Sequence, residues 1–321
     1  MQRAISFGCP DRLPMMLDSL GRSDVHWVNW NQVGSGDSNI RQTLDEWGCT
    51  WSRTEARNMG QVTGHPLEDW AALRDYRWPD PQDPGFYTGI EKQFDGSRDK
   101  FVLTKIFMLL FERLHSLHGF ANTLADLALG DERLERLADR VVDFDLGIIE
   151  NLAGRFPGRI HGLYFTDDWG TEQRTMISPK LWGEFFQPRY RRLFHAIHAA
   201  GWVVWMHSCG QISAIVDGLI EVGVDVLNLQ QPRVFGIEGF GRRYAGRVAF
   251  ETLCDIQKTL PFGGRQEIQR EAQLLMKYWA VPEGGLILGD YGESDAIGVT
   301  PEKKSWMLDA FLAADRWKVA Q

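Results

Sequence analysis

The sequence predicts an α/β protein built as a single (β/α)8 barrel. Strand and helix patterns alternate at least four times through the second half, and such alternation requires parallel strands joined by crossover helices. No glycine-rich dinucleotide loop follows the first predicted strand, which favours a barrel over an open doubly wound sheet. A length of 321 residues suits one such barrel, so we expect residues 1–321 to form a single domain.

The strands and helices of the second half are bounded by clear signals. Residues 160–166 form an apolar strand pattern that leads into Asp167-Asp168-Trp169-Gly170. Ser178 and Pro179 are typical of an N-cap and a first helical position, so a helix should follow to about residue 200. The remaining strands are predicted at 202–209, 224–229, 247–250 and 285–288, and the remaining helices at 212–222 and 300–317.

The first half of the chain has weaker patterns. Strands are predicted at residues 12–17 and 101–108, and an amphipathic helix at 131–152. Residues 64–88 are rich in Pro, Asp and Trp, which is typical of an irregular excursion.

Polar side chains stand at or just after the ends of the predicted strands. In a barrel of parallel strands, the carboxyl ends of all strands meet at one rim, where the chemistry of such proteins takes place. Packing does not explain polar residues gathered at one rim, so we expect an active site there. These residues are Asp167, Asp168, His207, Cys209, Asn228, Gln230, Glu251 and Asp290.

His207 and Cys209 have the spacing and chemistry of a metal site. They lie two residues apart at the end of a strand, so their side chains point to the same face. An imidazole and a thiolate suit zinc, and a third ligand with one open position would make a catalytic centre. The alternative is a buried cysteine beside a hydrogen-bonded histidine.

Composition excludes several classes of function. The net charge of −8 disfavours a nucleic-acid-binding protein, which usually carries a basic face. The four cysteines contain no CxxC pair and are not a disulfide framework. The chain shows no signal-peptide pattern and no apolar run of about 20 residues for a membrane span. We therefore expect a cytoplasmic enzyme.

Four motifs together resemble the uroporphyrinogen decarboxylase superfamily over nearly the whole chain. They are Asp45-Glu46-Trp47-Gly48-Cys49, Asp167-Asp168-Trp169-Gly170, His207-Ser208-Cys209-Gly210 and Thr300-Pro301-Glu302. The resemblance implies a single barrel with an N-terminal helical extension. Adjacent residues at a strand end face opposite sides, so only one of the two aspartates should point into the barrel mouth. The family's Asp-Trp-Gly turn favours Asp168.

The chain looks closer to the corrinoid-dependent methyltransferase branch of that superfamily than to the true decarboxylases. The decarboxylases carry an Arg-Gln-Ala-Gly-Arg motif near the N-terminus, where this chain has Met15-Met16-Leu17-Asp18-Ser19. The methyltransferases hold zinc with His-x-Cys and a later cysteine. His207 and Cys209 match the first two ligands, but Gly289-Asp290-Tyr291-Gly292 stands where the later cysteine is expected.

The sequence therefore leaves the identity of the third zinc ligand undecided. Asp290 is the first choice, and Glu251 and Cys254 are the alternatives. Glu251 could instead act as a general acid or base, orient His207, or form a rim salt bridge.

These features predict a zinc-dependent methyltransferase. It would move a methyl group between a corrinoid, as co-substrate or on a partner protein, and a thiol or small methylated compound. The thirteen tryptophans favour an aromatic methyl ether as that compound. Asp168 and Glu251 are the predicted catalytic residues, and Asp167, Asn228 and Gln230 are expected to bind substrate.

Two other functions remain open. One is a metal-independent, decarboxylase-like enzyme for a small carboxylated substrate, in which Asp168 would stabilise a protonated intermediate. The other is a catalytically silent barrel that binds a ligand. The absence of the later cysteine leaves this second function open.

Overall fold

A computed structural model describes residues 1–32, 42–53 and 60–317 of the chain. The strands are β1 (Met16–Leu17), β2 (Arg22–Ser23), β3 (Val25–Trp27), β4 (Gln42–Leu44), β5 (Thr50–Ser52), β6 (Gln61–Gly64), β7 (Phe101–Ile106), β8 (Gly162–Thr166), β9 (Val203–His207), β10 (Val226–Leu229), β11 (Ala249–Thr252) and β12 (Leu286–Leu288). The helices are α1 (Gln2–Ile5), α2 (Ile90–Gln93), α3 (Phe111–His118), α4 (Phe120–Leu129), α5 (Glu132–Arg155), α6 (Pro179–Leu181), α7 (Gln187–Ala199), α8 (Val216–Val222), α9 (Pro232–Phe235), α10 (Ile237–Tyr244), α11 (Thr259–Phe262), α12 (Arg265–Tyr278) and α13 (Pro301–Ala313).

Seven parallel strands form one curled sheet, a half-barrel flanked by helices. Their order is β12-β11-β10-β9-β8-β7-β3, so strands that follow one another from β7 to β12 are also neighbours in the sheet. Helices connect each consecutive pair from β7 to β12, as parallel pairing requires. The α/β class is confirmed. The full eight-stranded barrel is not confirmed, because seven parallel strands pair in the part of the chain that the structure describes.

The N-terminal segment differs most from the sequence prediction. The strand predicted at 12–17 shrinks to β1, which pairs antiparallel with β2 rather than parallel with a barrel neighbour. Met15 adds a single parallel bridge to Leu288. Pro10 and Pro14 offer no backbone N–H, which limits the ladder that this segment can form. The expected N-terminal helical extension is reduced to the four residues of α1.

The remaining predicted elements are confirmed with small shifts at their ends. The strands predicted from residue 101 onward correspond to β7 through β12. The helix predicted from Ser178 forms, with the Ser178 hydroxyl accepting from the Leu181 N–H, and a π-helical turn at Trp182–Phe186 joins α6 to α7. None of the described helices is both long and apolar enough to cross a bilayer.

A small antiparallel sheet, β4-β5-β6, lies between β3 and β7 in the chain and was not predicted. Asp45 fixes this small sheet to α3. Its carboxylate accepts from the Cys49 N–H at 2.8 Å and from the Trp51 indole at 3.0 Å, and it pairs with Arg113 of α3 at 2.7 Å. Both charged side chains are nearly inaccessible, so removing either one would leave an uncompensated buried charge.

Side-chain alternation divides the inner face of the half-barrel into two layers. Tyr164, Trp205, Val226 and Ala249 are register partners across four strands and belong to an inner apolar cluster. Two residues further along the same strands, Thr166, His207, Asn228 and Glu251 are register partners as well. The inner face therefore changes from apolar to polar at the carboxyl ends of the strands.

The loops that follow β8 and β9 touch each other through two glycines. The Gly170 N–H donates to the Cys209 carbonyl at 3.1 Å. Gly210 has a φ of 75°, and a β-carbon added to it would lie 2.6 Å from the Thr171 carbonyl oxygen. This close backbone approach brings the segments carrying Asp168 and Cys209 together.

We expect Gly210→Ala to lower the free energy of unfolding by about 2–3 kcal/mol, because alanine must adopt a left-handed conformation against backbone atoms. Gly154→Ala in α5 is the control. Nothing lies within 4 Å of its added methyl group, so it should be neutral or stabilising by up to about 1 kcal/mol. Urea denaturation of the two variants measures the difference. Equal effects would contradict the proposed close approach.

Candidate functional site

Three side chains from the ends of β8 and β9 converge on one point. One ligand atom from each of Asp168, His207 and Cys209 lies within 4.8 Å of the other two. His207 Nε2 is 3.3 Å from Cys209 Sγ and 3.6 Å from Asp168 Oδ1. The Asp168 carboxylate also accepts from the Cys209 N–H at 2.7 Å. The three groups thus form a compact cluster of nitrogen, sulfur and oxygen donors.

His207 is oriented by a chain of hydrogen bonds beneath it. Its Nδ1 lies 2.5 Å from the Asn228 side-chain oxygen. A carbonyl oxygen can only accept, so Nδ1 carries a proton; in the neutral imidazole the lone pair is then on Nε2, which faces Asp168 and Cys209. The Asn228 amide group in turn donates to Glu251. Such a partner behind a histidine fixes the tautomer that a metal needs.

Glu251 is the last residue in this series of hydrogen bonds and lies inside the half-barrel. The Trp205 indole donates to its carboxylate at 2.8 Å, and the side chain is buried. Burial raises the pKa of Glu251 to about 7, and the hydrogen bonds from Asn228 and Trp205 oppose the rise. Of the roles considered for Glu251, this geometry favours orientation of His207 through Asn228.

Asp167 and Asp168 face opposite sides of their strand end. Asp167 is fully buried and accepts from the backbone N–H groups at the start of α3, at 3.0 Å from Phe111 and 2.8 Å from Glu112. The Tyr190 hydroxyl donates to the same carboxylate. Burial raises the pKa of Asp167 to about 6 against these hydrogen bonds. Asp167 therefore anchors a helix, while Asp168 faces the cluster.

None of the three residues considered for the third metal ligand, Asp290, Glu251 and Cys254, belongs to the group of ligand atoms that lie within 4.8 Å of one another. Asp290 pairs with Lys304 of α13 at 2.7 Å, and both side chains are nearly buried. The Cys254 thiol is buried and contacts the Ile268 carbonyl of α12. Asp168 is the residue whose side chain joins those of His207 and Cys209 in that group. Gln230 follows β10, and its backbone carbonyl accepts from the Ile256 N–H.

The Cys209 thiol holds its proton in this setting. Burial, and after it the charge of Asp168, raise the pKa of Cys209 above its ordinary value. A bound divalent cation would reverse this effect, because coordination deprotonates a thiol outright. Nitrogen, sulfur and oxygen donors are the set that zinc accepts in proteins. The residues present therefore fit zinc.

One acidic residue beside the cluster was missed from the sequence. Glu112, in the first turn of α3, is buried, and Thr166 forms a side-chain hydrogen bond to it. Burial, followed by the charges of Asp168 and Asp167, raises its pKa well above the ordinary value. Glu112 reaches the strand ends because Asp167 anchors the start of α3 there. The sequence carries no signal of this tertiary contact.

The fold resembles that of a methyltransferase from Methanosarcina mazei. The TM-score is 0.60 and the sequence identity is 16%, and the match covers 83% of this chain and 75% of that chain. At this identity the likeness concerns the fold. No family model and no curated protein sequence match the chain. Membership of the uroporphyrinogen decarboxylase superfamily stays a prediction.

We expect the stability of the protein to depend on pH through Glu251. The native carboxyl keeps its proton up to about pH 7, whereas the unfolded one loses it near pH 4.3, so raising the pH between these values favours unfolding. Between pH 5 and 8 the wild type should lose about 2 kcal/mol relative to Glu251→Gln. Urea denaturation of the metal-free proteins at several pH values measures this.

The matched control is Glu68→Gln, because Glu68 is an exposed glutamate. Its pH profile should follow that of the wild type. A Glu251→Gln profile parallel to the wild type would show that Glu251 is ionised throughout this range.

Proposed function

We propose that this protein is a zinc-dependent methyltransferase that moves a methyl group between a small molecule and a corrinoid co-substrate. The observation that carries the proposal is the convergence of Asp168, His207 and Cys209 within 4.8 Å. The three residues come from the carboxyl ends of parallel strands, where proteins of barrel architecture place their reactive groups.

Asp168, His207 and Cys209 would hold the metal, and three protein ligands leave a position for substrate. When bound, zinc would supply Lewis acidity that lowers the pKa of a thiol or polarises an ether oxygen. Asn228 keeps the Nε2 lone pair of His207 directed at the site, and Glu251 holds Asn228 in place. Trp205 fills the space below Glu251 and excludes water from this chain of hydrogen bonds.

The fold is similar to that of a protein in the same reaction class. The similar structure is named a methyltransferase, and the match spans most of both chains. Because 16% identity supports only the fold, the chemistry rests on the cluster of donor atoms.

The corrinoid enters the proposal as co-substrate, carried by a partner protein or free in solution. In one direction a thiolate sulfur forms a bond to the methyl carbon while the cobalt–carbon bond breaks, and the electron pair stays on cobalt. In the other direction, the electron pair of cobalt(I) forms the bond to the methyl carbon while the bond from that carbon to the oxygen or sulfur of the small molecule breaks, and the leaving group departs as an alkoxide, phenoxide or thiolate that takes up a proton. The residues around His207 are partly accessible, with 12% of the His207 side chain and 34% of the Asp168 side chain exposed.

We expect purified wild-type protein from zinc-replete medium to contain near-stoichiometric zinc. His207→Ala and Cys209→Ser should lose most of it, because each removes one of the three ligands. Cys9→Ser is the matched control, since Cys9 is an exposed cysteine outside the cluster. Elemental analysis of the four proteins checks this. A wild type without zinc would overturn the zinc part of the proposal.

We expect zinc-loaded protein to consume methylcobalamin in the presence of a small thiol. The loss of the cobalt–carbon bond is followed anaerobically by visible absorbance. His207→Ala should abolish the reaction, and Asn228→Ala should slow it by about 10–100-fold because His207 loses its orienting partner. Cys9→Ser should react like the wild type. If zinc-loaded wild type leaves methylcobalamin intact with a series of thiols and methyl ethers, the corrinoid part of the proposal is wrong.

A further inference from the structure

A mostly apolar pocket of about 300 Å³ lies between α3 and the small sheet β4-β5-β6. Its walls include Trp51 of β5, Met108 after β7, His115 of α3 and Phe120 at the start of α4. None of the residues that line it in the described part of the chain is Asp, Glu, Lys or Arg. An apolar cavity of about 150 Å³ is enough for benzene, so this pocket has room for one substituted ring.

Aromatic side chains form much of the wall. The His115 ring meets the Phe120 ring edge to face, with the two centroids 5.5 Å apart. Phe120 is 45% exposed, which places it at the opening of the pocket, whereas Trp51 is buried behind it. Aromatic rings attract one another in edge-to-face and offset stacked arrangements. The pocket therefore offers a further ring the contacts that rings prefer.

Met108 is held in a strained conformation in the wall nearest to the strand ends. Its φ is 61°, in the left-handed region that residues other than glycine rarely adopt. Its sulfur accepts from the Ser116 hydroxyl at 3.2 Å, and its N–H donates to the Thr166 hydroxyl at 3.0 Å. Thr166 is the register partner of His207. Strain of this kind collects at ligand sites, and a thioether makes favourable contacts with rings.

The polar groups in the pocket favour a neutral ligand. Burial lowers the pKa of His115 to about 4, so its imidazole is uncharged at neutral pH. The Nδ1 atom of His65, another lining residue, donates to the Ser116 backbone carbonyl at 2.8 Å. A charged group entering the pocket would lose its hydration without gaining an opposite charge. A neutral ether would lose far less.

We infer that this pocket binds the ring of an uncharged aromatic methyl ether, which would be the methyl donor. The inference rests on the proposed function. The volume, the aromatic walls, the thioether of Met108 and the uncharged lining all match such a ring. Because the Met108 N–H is bonded to Thr166, a ring in the pocket would lie beside the polar row that contains His207.

The test is the binding of methoxybenzene to the metal-free protein, measured by isothermal titration calorimetry. The wild type should bind it at least about tenfold more tightly than 4-methoxybenzoate, whose carboxylate finds no cation in the lining. Phe120→Ala should weaken binding about three- to tenfold, because it removes a ring from the opening. Phe262→Ala is the matched control. Phe262 is 83% exposed and lies outside the pocket, so this variant should bind like the wild type.

A second variant, Val62→Phe, fills the pocket. Val62 of β6 lines it, so a larger side chain there should weaken methoxybenzene binding by at least about tenfold. Val62 and Phe120 are not members of the metal-binding cluster, so the zinc content of both variants should equal that of the wild type.

The outcomes separate this inference from the proposed function. A wild type that does not bind methoxybenzene would overturn the inference whatever its zinc content. Wild-type affinity in both Phe120→Ala and Val62→Phe would overturn it as well, because the ring would then bind elsewhere. A wild type that binds methoxybenzene as expected but contains no zinc would overturn the proposed function and support the ring-binding pocket.

Discussion

The carboxylate of Asp167 joins three parts of the molecule that build the site. It directly follows β8, accepts from the first backbone N–H groups of α3, and accepts from the Tyr190 hydroxyl of α7. A carboxylate at a helix start is stabilised by the free N–H groups and by the helix dipole, which offsets part of the cost of its burial. Because Asp168 is the next residue, the same anchor fixes where α3 meets the cluster. Moving α3 would therefore move Glu112 away from His207 and Asp168.

The other side of the site is set by the pleat of the sheet. His207, Asn228 and Glu251 lie at matching positions on β9, β10 and β11, so their side chains are neighbours by register alone. The apolar layer below them, which includes Trp205 and Val226, keeps water from the lower end of this polar row. His207 lies at a strand end and is hydrogen-bonded to Asn228, so its imidazole ring keeps one orientation. This rigidity is what metal binding or proton transfer requires.

Strand alternation explains which parts of the site could be predicted from the sequence. His207 and Cys209 were placed together because residues two apart share a face, and the same alternation allowed only one of Asp167 and Asp168 to point into the mouth. The Asp-Trp-Gly turn of the resembling family then favoured Asp168. Strand alternation does not predict where the Asp290 side chain points, because Asp290 lies in a turn after the last strand. In the structure it pairs with Lys304 of α13. Glu112 could not be found, since it depends on a contact between α3 and Asp167. Likewise, the prolines of the first segment limit the strand predicted there to the two residues of β1.

The charge of the site bears on which reaction it can support. Asp168 lies beside His207, Glu112 and Glu251 interact with His207 electrostatically, and burial raises the pKa of both glutamates, which means that negative charge is costly at this place. A carboxylated substrate bound beside the cluster would add a further negative charge to these surroundings. A cation at the cluster has the opposite effect, because it lowers the energy of the carboxylates and of the Cys209 thiolate together. The acidic surroundings therefore favour a metal-bound site acting on a neutral methyl donor or a thiol over a metal-free site acting on a carboxylate.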